Sequence, residues 1–392
     1  MAAIRITDKI FLVGAIDWDR RLFDELIPLP VGTSYNSYLI RGVEKNVLID
    51  TVDPSKADEF FENLEELGIK NIDYIVCQHA EQDHSGSIPH VLKRYPMAKV
   101  VTNNKCKELL IDHLGLTEED FLIIKDEEEF EVGDIRLKFI FAPWVHWPET
   151  MLTYYADEKT LFTCDMFGSH LATPYLYSDE DDRFKLSAKR YYAEIMLPFR
   201  SNIRKHLEKV SSYSIDYILP SHGPVHRKPE IILDYYKDWS SDITKPLVII
   251  PYVSMHDSTE GMVKFLLSEL VKKGVEAIPL NLSDVDFGEF AMYLVDASVV
   301  IIGAPTVLSG PHPTVAYAVM LMNALRTPSK GIGFIGSYGW GGKTEEILKG
   351  LLSGLRYRDL GSVFIRGSLK EEEKKRLSAL SDTVVSFLKE YK

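Results

Sequence analysis

The amino-acid sequence predicts a two-domain protein, with an α+β N-terminal domain and an α/β C-terminal domain built on a doubly wound five-stranded parallel sheet. A chain of 392 residues is too long for one ordinary hydrophobic core. In the first part, short strand patterns lie close together in sequence, as hairpins require, with helical patterns between some of them, which predicts mixed sheets stacked inside helical layers. From residue 247 onward, five apolar strand patterns alternate with helices, which indicates a parallel sheet.

The domain boundary is predicted in the segment DWSSDITKP, so that the domains are residues 1–246 and 247–392. N-terminal strands are predicted at 9–15, 36–41, 46–50, 74–78, 99–103, 136–142, 151–156, 160–164 and 216–220, and helices at 56–68, 86–95 and 189–210. C-terminal strands are predicted at 247–253, 276–282, 298–304, 331–337 and 362–368, and the first is followed by a helical pattern at 258–273.

Charge and composition exclude several function classes. A formal net charge of −13 leaves no basic stripe to neutralise phosphates, which argues against nucleic acid and against an anionic membrane surface. No apolar run is long enough to span a membrane, and the N-terminus lacks the apolar core of a signal peptide. The three cysteines are too far apart for a disulfide framework or a CxxC-type metal centre. We therefore expect a cytoplasmic protein.

The strongest functional signal is the segment HAEQDH, which directly follows an apolar strand. It offers His79, Glu81, Asp83 and His84 within six residues. One loop of this kind can supply two neighbouring metals with nitrogen and oxygen ligands, a mixture that suits iron, manganese or zinc. The ordinary alternative is a polar turn with capping side chains, but capping requires only one or two such residues.

Three later residues are candidate partners of this loop, because each also follows a predicted strand. They are His146, Asp165 and His222. Taken singly, His146 could be a core histidine and Asp165 a helix cap. The segment SHGPVH also leaves His226 as an alternative to His222. We expect Cys164, next to Asp165, to be a buried strand cysteine.

Three loops of the C-terminal domain suggest a flavin site. The first joins a strand to a helix and carries hydroxyl groups at a helix N-terminus, which suits a phosphate monoester; it comprises Ser254, Met255, His256, Asp257, Ser258 and Thr259. The loop lacks the GxxxxGK[ST] pattern of nucleotide triphosphatases and the GxGxxG pattern of dinucleotide-binding folds. The other two loops follow the third and fourth strands and contain Pro305, Thr306, Val307, Leu308, Ser337, Tyr338, Gly339, Trp340, Gly341 and Gly342. The ordinary alternative is that these are turn glycines and packing aromatics.

The order HAEQDH, His146, Cys164–Asp165 and PSHG resembles the metal motifs of the metallo-β-lactamase fold, and the hydroxyl-rich loop resembles flavodoxin, whose ligand is FMN. Together they resemble the flavodiiron proteins (A-type flavoproteins), over essentially the whole chain. The resemblance implies an αββα sandwich followed by a flavodoxin-like domain. It implies one iron on His79, Glu81 and His146 and another on Asp83, His84 and the late histidine, with Asp165 bridging. Hydrolytic zinc enzymes of the fold usually carry histidine where this chain has Glu81.

The same resemblance implies an oxidoreductase that passes electrons from FMN to two irons and reduces dioxygen to water, nitric oxide to nitrous oxide, or both. It implies a head-to-tail homodimer, or a tetramer built from such dimers. Because the chain lacks rubredoxin-type cysteine pairs, we expect a separate rubredoxin-like donor. Trp147, Tyr191 and Tyr192 are either lining residues of the substrate pocket or core aromatics.

Two other functions compete with this interpretation. A dizinc hydrolase of the lactamase fold with a fused flavodoxin domain would use the metals to activate water. An electron-transfer flavoprotein would use its metal domain only as a structural support. The carboxylate at position 81 and the flavin loops count against the first, and the number of ligands counts against the second.

Overall fold

The computed structural model describes residues 3–390 and divides into two compact units, Met1–Ser240 and Ser241–Lys392. The division falls slightly before the predicted boundary at residue 246, and the first strand of the second unit begins at Lys245. Within the described residues, no helix combines the length and apolar character needed to span a membrane.

The described part of the first unit, from residue 3 onward, contains sixteen strands and seven α-helices. Its strands are β1 (Ile4–Arg5), β2 (Ile10–Leu12), β3 (Ala15–Asp17), β4 (Leu22–Phe23), β5 (Ile27–Pro28), β6 (Thr33–Tyr35), β7 (Tyr38–Arg41), β8 (Asn46–Ile49), β9 (Tyr74–Val76), β10 (Lys99–Thr102), β11 (Phe121–Ile123), β12 (Glu129–Val132), β13 (Ile135–Phe141), β14 (Met151–Tyr155), β15 (Thr160–Cys164) and β16 (Tyr217–Pro220). Its helices are α1 (Ala57–Glu66), α2 (Gln82–Ser85), α3 (Ile88–Arg94), α4 (Asn104–Leu114), α5 (Phe184–Tyr191), α6 (Arg200–Val210) and α7 (Pro229–Trp239).

These strands form two main sheets of mixed direction, as the sequence predicts. The first has the order β1-β2-β7-β8-β9-β10-β11 and the second the order β12-β13-β14-β15-β16. The strands from β8 to β11 are parallel, as are β15 and β16, and the remaining neighbours are antiparallel. Two further two-stranded antiparallel sheets, β3–β6 and β4–β5, stand apart from the main sheets.

The core of the first unit explains its layering. One buried cluster takes side chains from both sheets, including Val76 and Phe139, and therefore lies between the sheets. A second cluster joins the first sheet to helices α1, α3 and α4 through Phe60, Val91 and Leu110. Apolar residues on both faces of the strands thus place the sheets inside, because each sheet buries both of its surfaces.

Two predicted elements differ from the structure. The strand predicted at 9–15 is interrupted at Val13 and Gly14, where a Cβ on Gly14 would lie only 2.1 Å from the Tyr35 carbonyl oxygen. The single helix predicted at 189–210 is instead a series of helical segments. A π-helical turn at Tyr192–Met196 and a 3₁₀ turn at Leu197–Phe199 separate α5 from α6. Pro198 lies in the 3₁₀ turn, and a proline cannot continue the hydrogen bonding of an α-helix.

The second unit has a flavodoxin-like topology. Its strands are β17 (Lys245–Tyr252), β18 (Glu276–Asn281), β19 (Ala297–Val307), β20 (Gly310–Pro311), β21 (Gly331–Tyr338) and β22 (Arg358–Arg366); its helices are α8 (Ser258–Lys272), α9 (Phe287–Asp296), α10 (Pro313–Ala324), α11 (Thr344–Leu351) and α12 (Glu371–Glu390). Five strands form a parallel sheet in the order β18-β17-β19-β21-β22, and the short β20 pairs antiparallel with β19. Parallel sheets of this order bind ligands at the carboxyl ends of their central strands.

The close packing of this sheet gives a direct test. A Cβ on Gly336, in β21, would lie 2.3 Å from the Ala304 carbonyl oxygen, whereas a Cβ on Gly261, in α8, meets no atom within 4 Å. We expect Gly336→Ala to cost about 1–3 kcal/mol of unfolding free energy through overpacking. Gly261→Ala should instead stabilise its helix by up to about 1 kcal/mol. Calorimetric melting of the full chain measures both; equal melting temperatures for the two variants would contradict the packing.

Candidate functional site

All seven predicted metal ligands lie in segments that follow strands of the first unit. His79 comes shortly after β9, and the helix α2 that begins next carries Asp83 and His84. His146 lies between β13 and β14, Asp165 directly follows β15, and His222 follows β16. The carboxyl ends of several strands therefore lie close together, which brings together residues that are far apart in sequence.

The first group consists of His79, Glu81, His146 and Asp165, whose candidate ligand atoms all lie within 4.8 Å of one another. Glu81 Oε2 lies 3.0 Å from Nε2 of His79 and 3.0 Å from Nε2 of His146. Asp165 Oδ2 lies 3.6 Å from the first of these nitrogens and 3.7 Å from the second. Two imidazole nitrogens and two carboxylate oxygens thus face a common point.

The second group consists of Asp83, His84 and His222, again with ligand atoms within 4.8 Å of one another. His222 Nε2 lies 3.1 Å from Asp83 Oδ2, and His84 Nε2 lies 3.4 Å from Asp83 Oδ1. Asp165 Oδ1 faces this group, at 3.1 Å from His84 Nε2 and 3.5 Å from His222 Nε2. One oxygen of Asp165 therefore faces each group, so this side chain lies between two candidate metal positions.

The histidine rings are oriented by their other nitrogens. His222 Nδ1 donates to the Ser34 carbonyl oxygen at 2.7 Å, and His79 Nδ1 lies 2.7 Å from Glu149 Oε1. Each bond leaves Nε2 free to face the candidate metal position. The hydroxyl of Tyr191 donates to Asp165 Oδ1 at 2.9 Å, which holds this carboxylate in place.

Burial and opposite charge compete in setting the pKa values of these groups. Burial opposes the protonation of His222, but hydrogen bonds to Asp165 and Asp83 raise its pKa to about 10. Burial likewise opposes the ionisation of Asp165, yet the charge of His84 and bonds from His222 and His84 hold the pKa of Asp165 well below its usual range. The pKa of His79 is raised for the same reason, by Glu149 and Glu81 against the effect of burial. The cluster therefore favours ionised carboxylates beside positive charge.

The donor set fits two metal ions. Both carboxylate oxygens of Asp83 are buried and lack a hydrogen bond of normal geometry within the described residues, although histidine nitrogens lie nearby. Ligands bound to one ion at about 2.1 Å lie at most about 4.2 Å apart, close to the spacing of these atoms. Mixed imidazole and carboxylate ligands suit iron, manganese or zinc. Metal ions would satisfy the Asp83 oxygens and replace the protons that the raised pKa values of His79, His84 and His222 favour on these rings.

His226, the alternative to His222, lies outside the cluster. Its Nδ1 bonds the Ser178 hydroxyl at 2.9 Å and its Nε2 bonds the Phe167 carbonyl oxygen at 3.0 Å. Burial lowers the pKa of His226 to about 4, so this ring is neutral and both nitrogens are already engaged. Cys164 is buried at the end of β15, with its Sγ 3.7 Å from Asp165 Oδ2.

The three candidate pocket aromatics have different surroundings. Tyr191 is fully buried and reaches Asp165, as described above. Trp147 packs edge-on against the His79 ring, with centroids 4.8 Å apart. The Tyr192 hydroxyl donates instead to the Trp239 carbonyl oxygen at 3.1 Å. Tyr191 and Trp147 thus contact the candidate ligands, whereas the Tyr192 hydroxyl is engaged with α7.

The predicted flavin loops of the second unit enclose a cavity of about 220 Å³. It is lined by Ser254, Met255, His256, Ser258, Thr259, Pro305, Thr306, Ser337, Tyr338, Gly339 and Gly367. Asp257 precedes helix α8 with φ at +59°, and the Ser254 hydroxyl accepts the Glu260 N–H at 3.2 Å. These lining residues include no lysine or arginine, so a phosphate would depend on hydroxyls and on the helix N–H groups.

Some predicted flavin residues lie beside this cavity. Val307 ends β19 and pairs with Gly310, and Gly341 and Gly342 line a neighbouring cavity of about 580 Å³. Leu308 and Trp340 are 92% and 76% exposed. Apolar side chains this exposed at the edge of a cavity offer surface to a flat ligand. The hydroxyls, the helix N-terminus and this apolar rim together fit a flavin mononucleotide.

Comparison with known proteins agrees with this geometry. Residues 33–223, which include all seven candidate ligands, match the family described as ODP family beta lactamase. The chain is 34% identical over 354 residues to a nitric oxide reductase of Moorella thermoacetica, covering 88% of each protein. It is 31% identical over 360 residues to a flavo-diiron protein of Clostridium acetobutylicum, also covering 88% of each.

A solved structure extends the similarity to the fold. The rubredoxin oxygen:oxidoreductase of Desulfovibrio gigas superposes with a TM-score of 0.95 at 28% identity, covering 99% of each chain. This chain belongs to the flavodiiron protein family. The expected family and fold class are thereby confirmed. The individual ligand and FMN-contact assignments remain predictions, now with the geometry described above.

Several residues around the candidate metal ligands were not identified from the sequence. Glu149 and Ser34 orient two of the histidines, and Asp50 accepts the Gln78 N–H at 2.8 Å beside His79. His170 packs against His222 with ring centroids 5.0 Å apart. The one available signal was position, because Glu149 lies two residues before β14 and Asp50 ends a predicted strand.

The two late histidines give a matched test of the ligand set. His222→Ala should lose one of the two metals, because it removes a nitrogen that faces Asp83 and Asp165. His226→Ala should retain both metals, even if the cavity left by the missing ring lowers the melting temperature of the variant. Metal analysis of the purified variants gives the count per chain. Loss of metal from His226→Ala together with full retention in His222→Ala would contradict the assignment.

Proposed function

We propose that this flavodiiron protein is a reductase that takes electrons from a rubredoxin-type donor into FMN and passes them to a non-haem diiron centre. There dioxygen is reduced to water, nitric oxide to nitrous oxide, or both. The observation that carries the proposal is Asp165, whose two carboxylate oxygens face two groups of buried imidazole and carboxylate ligands. A single structural metal would not require this arrangement.

His79, Glu81 and His146 would hold the first proposed iron, and Asp83, His84 and His222 would hold the second, with Asp165 shared between the two groups. When bound, two adjacent irons supply electrons to a small oxidant. The side chains of Glu81 and His146 are 13% and 18% exposed, whereas those of the other five ligands are at most 4% exposed. Substrate should therefore approach from the side of Glu81 and His146.

The protein's own groups prepare this centre for a small substrate. The carbonyl of Ser34 and the carboxylate of Glu149 fix two imidazole rings, so little reorientation is needed when the ligands bind metal. Tyr191 donates its hydroxyl hydrogen to Asp165 and keeps the bridging carboxylate between the two groups. Burial of the surrounding shell excludes bulk water from the proposed metal positions.

The proposed FMN site is the cavity at the carboxyl ends of β17, β19 and β21. Its phosphate would bind Ser254, Ser258 and Thr259 at the N-terminus of α8, where backbone N–H groups point outward. The isoalloxazine ring would lie against the loops that contain Thr306 and Tyr338. Support comes from the strand order of the sheet, which places ligands at this edge.

The partners in this proposal have two kinds of support. The similar solved protein from Desulfovibrio gigas is named as a rubredoxin oxygen:oxidoreductase, which supports a rubredoxin-like donor. The chain has three cysteines, all buried, and no CxxC pair that could form a rubredoxin centre of its own. The head-to-tail homodimer, a tetramer built from it, and residence in the cytoplasm remain predictions.

The hydrolase alternative is not favoured. The similar proteins are named as a nitric oxide reductase and an oxygen oxidoreductase, and both names describe redox reactions. Glu81 places a carboxylate oxygen 3.0 Å from two imidazole nitrogens, at the position where the zinc hydrolases usually carry a histidine. A harder oxygen ligand there suits iron.

Cofactor analysis joined to turnover tests the proposal. We expect two irons and one FMN per chain, and consumption of dioxygen or nitric oxide when reduced rubredoxin is supplied under otherwise anaerobic conditions. Stopped-flow oxidation of the reduced protein by each gas measures its preference. Two zinc ions with no bound flavin would contradict the proposal.

A matched variant separates the two cofactors. Thr259→Val removes a buried hydroxyl at the proposed phosphate position while preserving the size of the side chain. It should reduce FMN retention by about tenfold, since one hydrogen bond to a charged group contributes about 1.5 kcal/mol. Its iron content should equal that of the unmodified protein. Fluorescence of released FMN and metal analysis provide the two readouts.

A further inference from the structure

We propose that Glu149 is a positioning residue for His79, and that it makes the metal bound by His79, Glu81 and His146 the more tightly held and more easily oxidised of the pair. This inference rests on the proposed diiron function. It concerns a residue outside the seven ligands, because Glu149 contacts the nitrogen of His79 that faces away from the metal positions.

The contact between the two side chains is short and buried. Glu149 Oε1 lies 2.7 Å from His79 Nδ1 and also accepts the Ala80 N–H at 3.2 Å. His79 is completely buried and Glu149 is 2% exposed. The bond therefore forms away from water, where a charge-assisted hydrogen bond is strong.

The surrounding structure holds both partners in fixed positions. Asn103 donates its Nδ2–H to the Glu149 carbonyl oxygen at 2.7 Å, and the Met151 N–H donates to the Gln78 carbonyl oxygen at 3.0 Å. The segment that carries His79 is thus tied to the segment that carries Glu149. Together with the edge-on contact of Trp147, these bonds leave the His79 ring a single orientation.

In the part of the chain that the structure describes, one ionisable side chain pairs with the charge of Glu149. Within the described residues its ion-pair partner is His79, with no lysine or arginine beside it. A buried carboxylate is costly unless it is paired. Four carboxylates contact the histidines of the cluster, namely Glu81, Asp83, Asp165 and Glu149. Their four negative charges equal the positive charge of two divalent ions, so Glu149 completes the charge balance of a loaded centre.

The same geometry makes the two metal positions unequal. His222, which belongs to the second group of ligands, donates its Nδ1–H to the neutral carbonyl of Ser34. Among the four histidines of the cluster, the described structure gives only His79 a carboxylate at Nδ1. A carboxylate acceptor increases the basicity of an imidazole ligand and strengthens its bond to the metal. It also stabilises the higher charge of an oxidised metal, which lowers that metal's reduction potential.

The test compares Glu149→Gln with Asp181→Asn in the full chain. Glutamine can still accept a hydrogen bond but carries no charge. Asp181 is a buried carboxylate as well, but its partners are Thr173 and Arg183 rather than a proposed ligand. Cobalt(II) titration of metal-free protein measures the affinity of each position, and electron paramagnetic resonance of the iron form during a redox titration measures the potentials.

We expect Glu149→Gln to weaken one of the two cobalt(II) binding steps by about 10- to 100-fold and to raise the reduction potential of one iron. Asp181→Asn should alter neither. Unchanged affinities and potentials in Glu149→Gln, beside a wild type that binds two metals, would overturn this inference and leave the proposed function intact. A wild type that binds no metal pair would overturn both.

A second measurement remains decisive if Glu149→Gln does not fold. One equivalent of cobalt(II) added to metal-free wild type should occupy the position of His79, Glu81 and His146. Anomalous diffraction from crystals of that form locates the ion. Occupancy of the position of Asp83, His84 and His222 instead would overturn the inference.

Discussion

The arrangement of the first unit depends on the burial of Asp165 between four histidines. A carboxylate in this setting is tolerated only beside positive charge, and the imidazoles at 3.1–3.7 Å provide it, as protons or as bound metal. The segments that follow β9, β13, β15 and β16 each place a proposed ligand at this site, and Asp165 itself follows β15. The two sheets and their helices thus serve to bring distant strand ends to one charged group.

The backbone near these ligands is unusual in a way that fits this constraint. Trp144, Cys164 and Phe167 have φ values of +67°, +50° and +72°, and each lies within two residues of a proposed ligand. Non-glycine residues rarely adopt this conformation, and they tend to do so at functional sites, where the surrounding structure enforces it. Cys164 and Phe167 are fully buried, so the packing around them holds their backbone in place.

Much of this architecture follows from local sequence patterns. HAEQDH could be recognised because four ligand types follow one apolar strand, and the parallel sheet because its strands alternate with helices. The contacts of Glu149 and Ser34 could not be found in this way, since each depends on how segments about 70 or more residues apart are aligned. The choice between His222 and His226 was open for the same reason. Both histidines follow one strand, and only tertiary structure shows which faces Asp83.

The flavin domain shows a different limit of sequence reasoning. The parallel sheet and the hydroxyl-rich loop were predictable, because strands that alternate with helices and the start of a helix have local signatures. The exposure of Leu308 and Trp340 was not, since a loop's composition does not determine which side chains turn outward. These two residues lie at the rim of the proposed flavin site, where a ligand rather than the protein would cover them.

The central claim is that Asp165 bridges two metal ions. Anomalous diffraction at the iron absorption edge, from crystals of the iron-loaded protein, tests it most directly. We predict two iron peaks, one beside His79, Glu81 and His146 and one beside Asp83, His84 and His222, with one Asp165 oxygen bound to each. A single peak, or two peaks with Asp165 bound to neither, would contradict it.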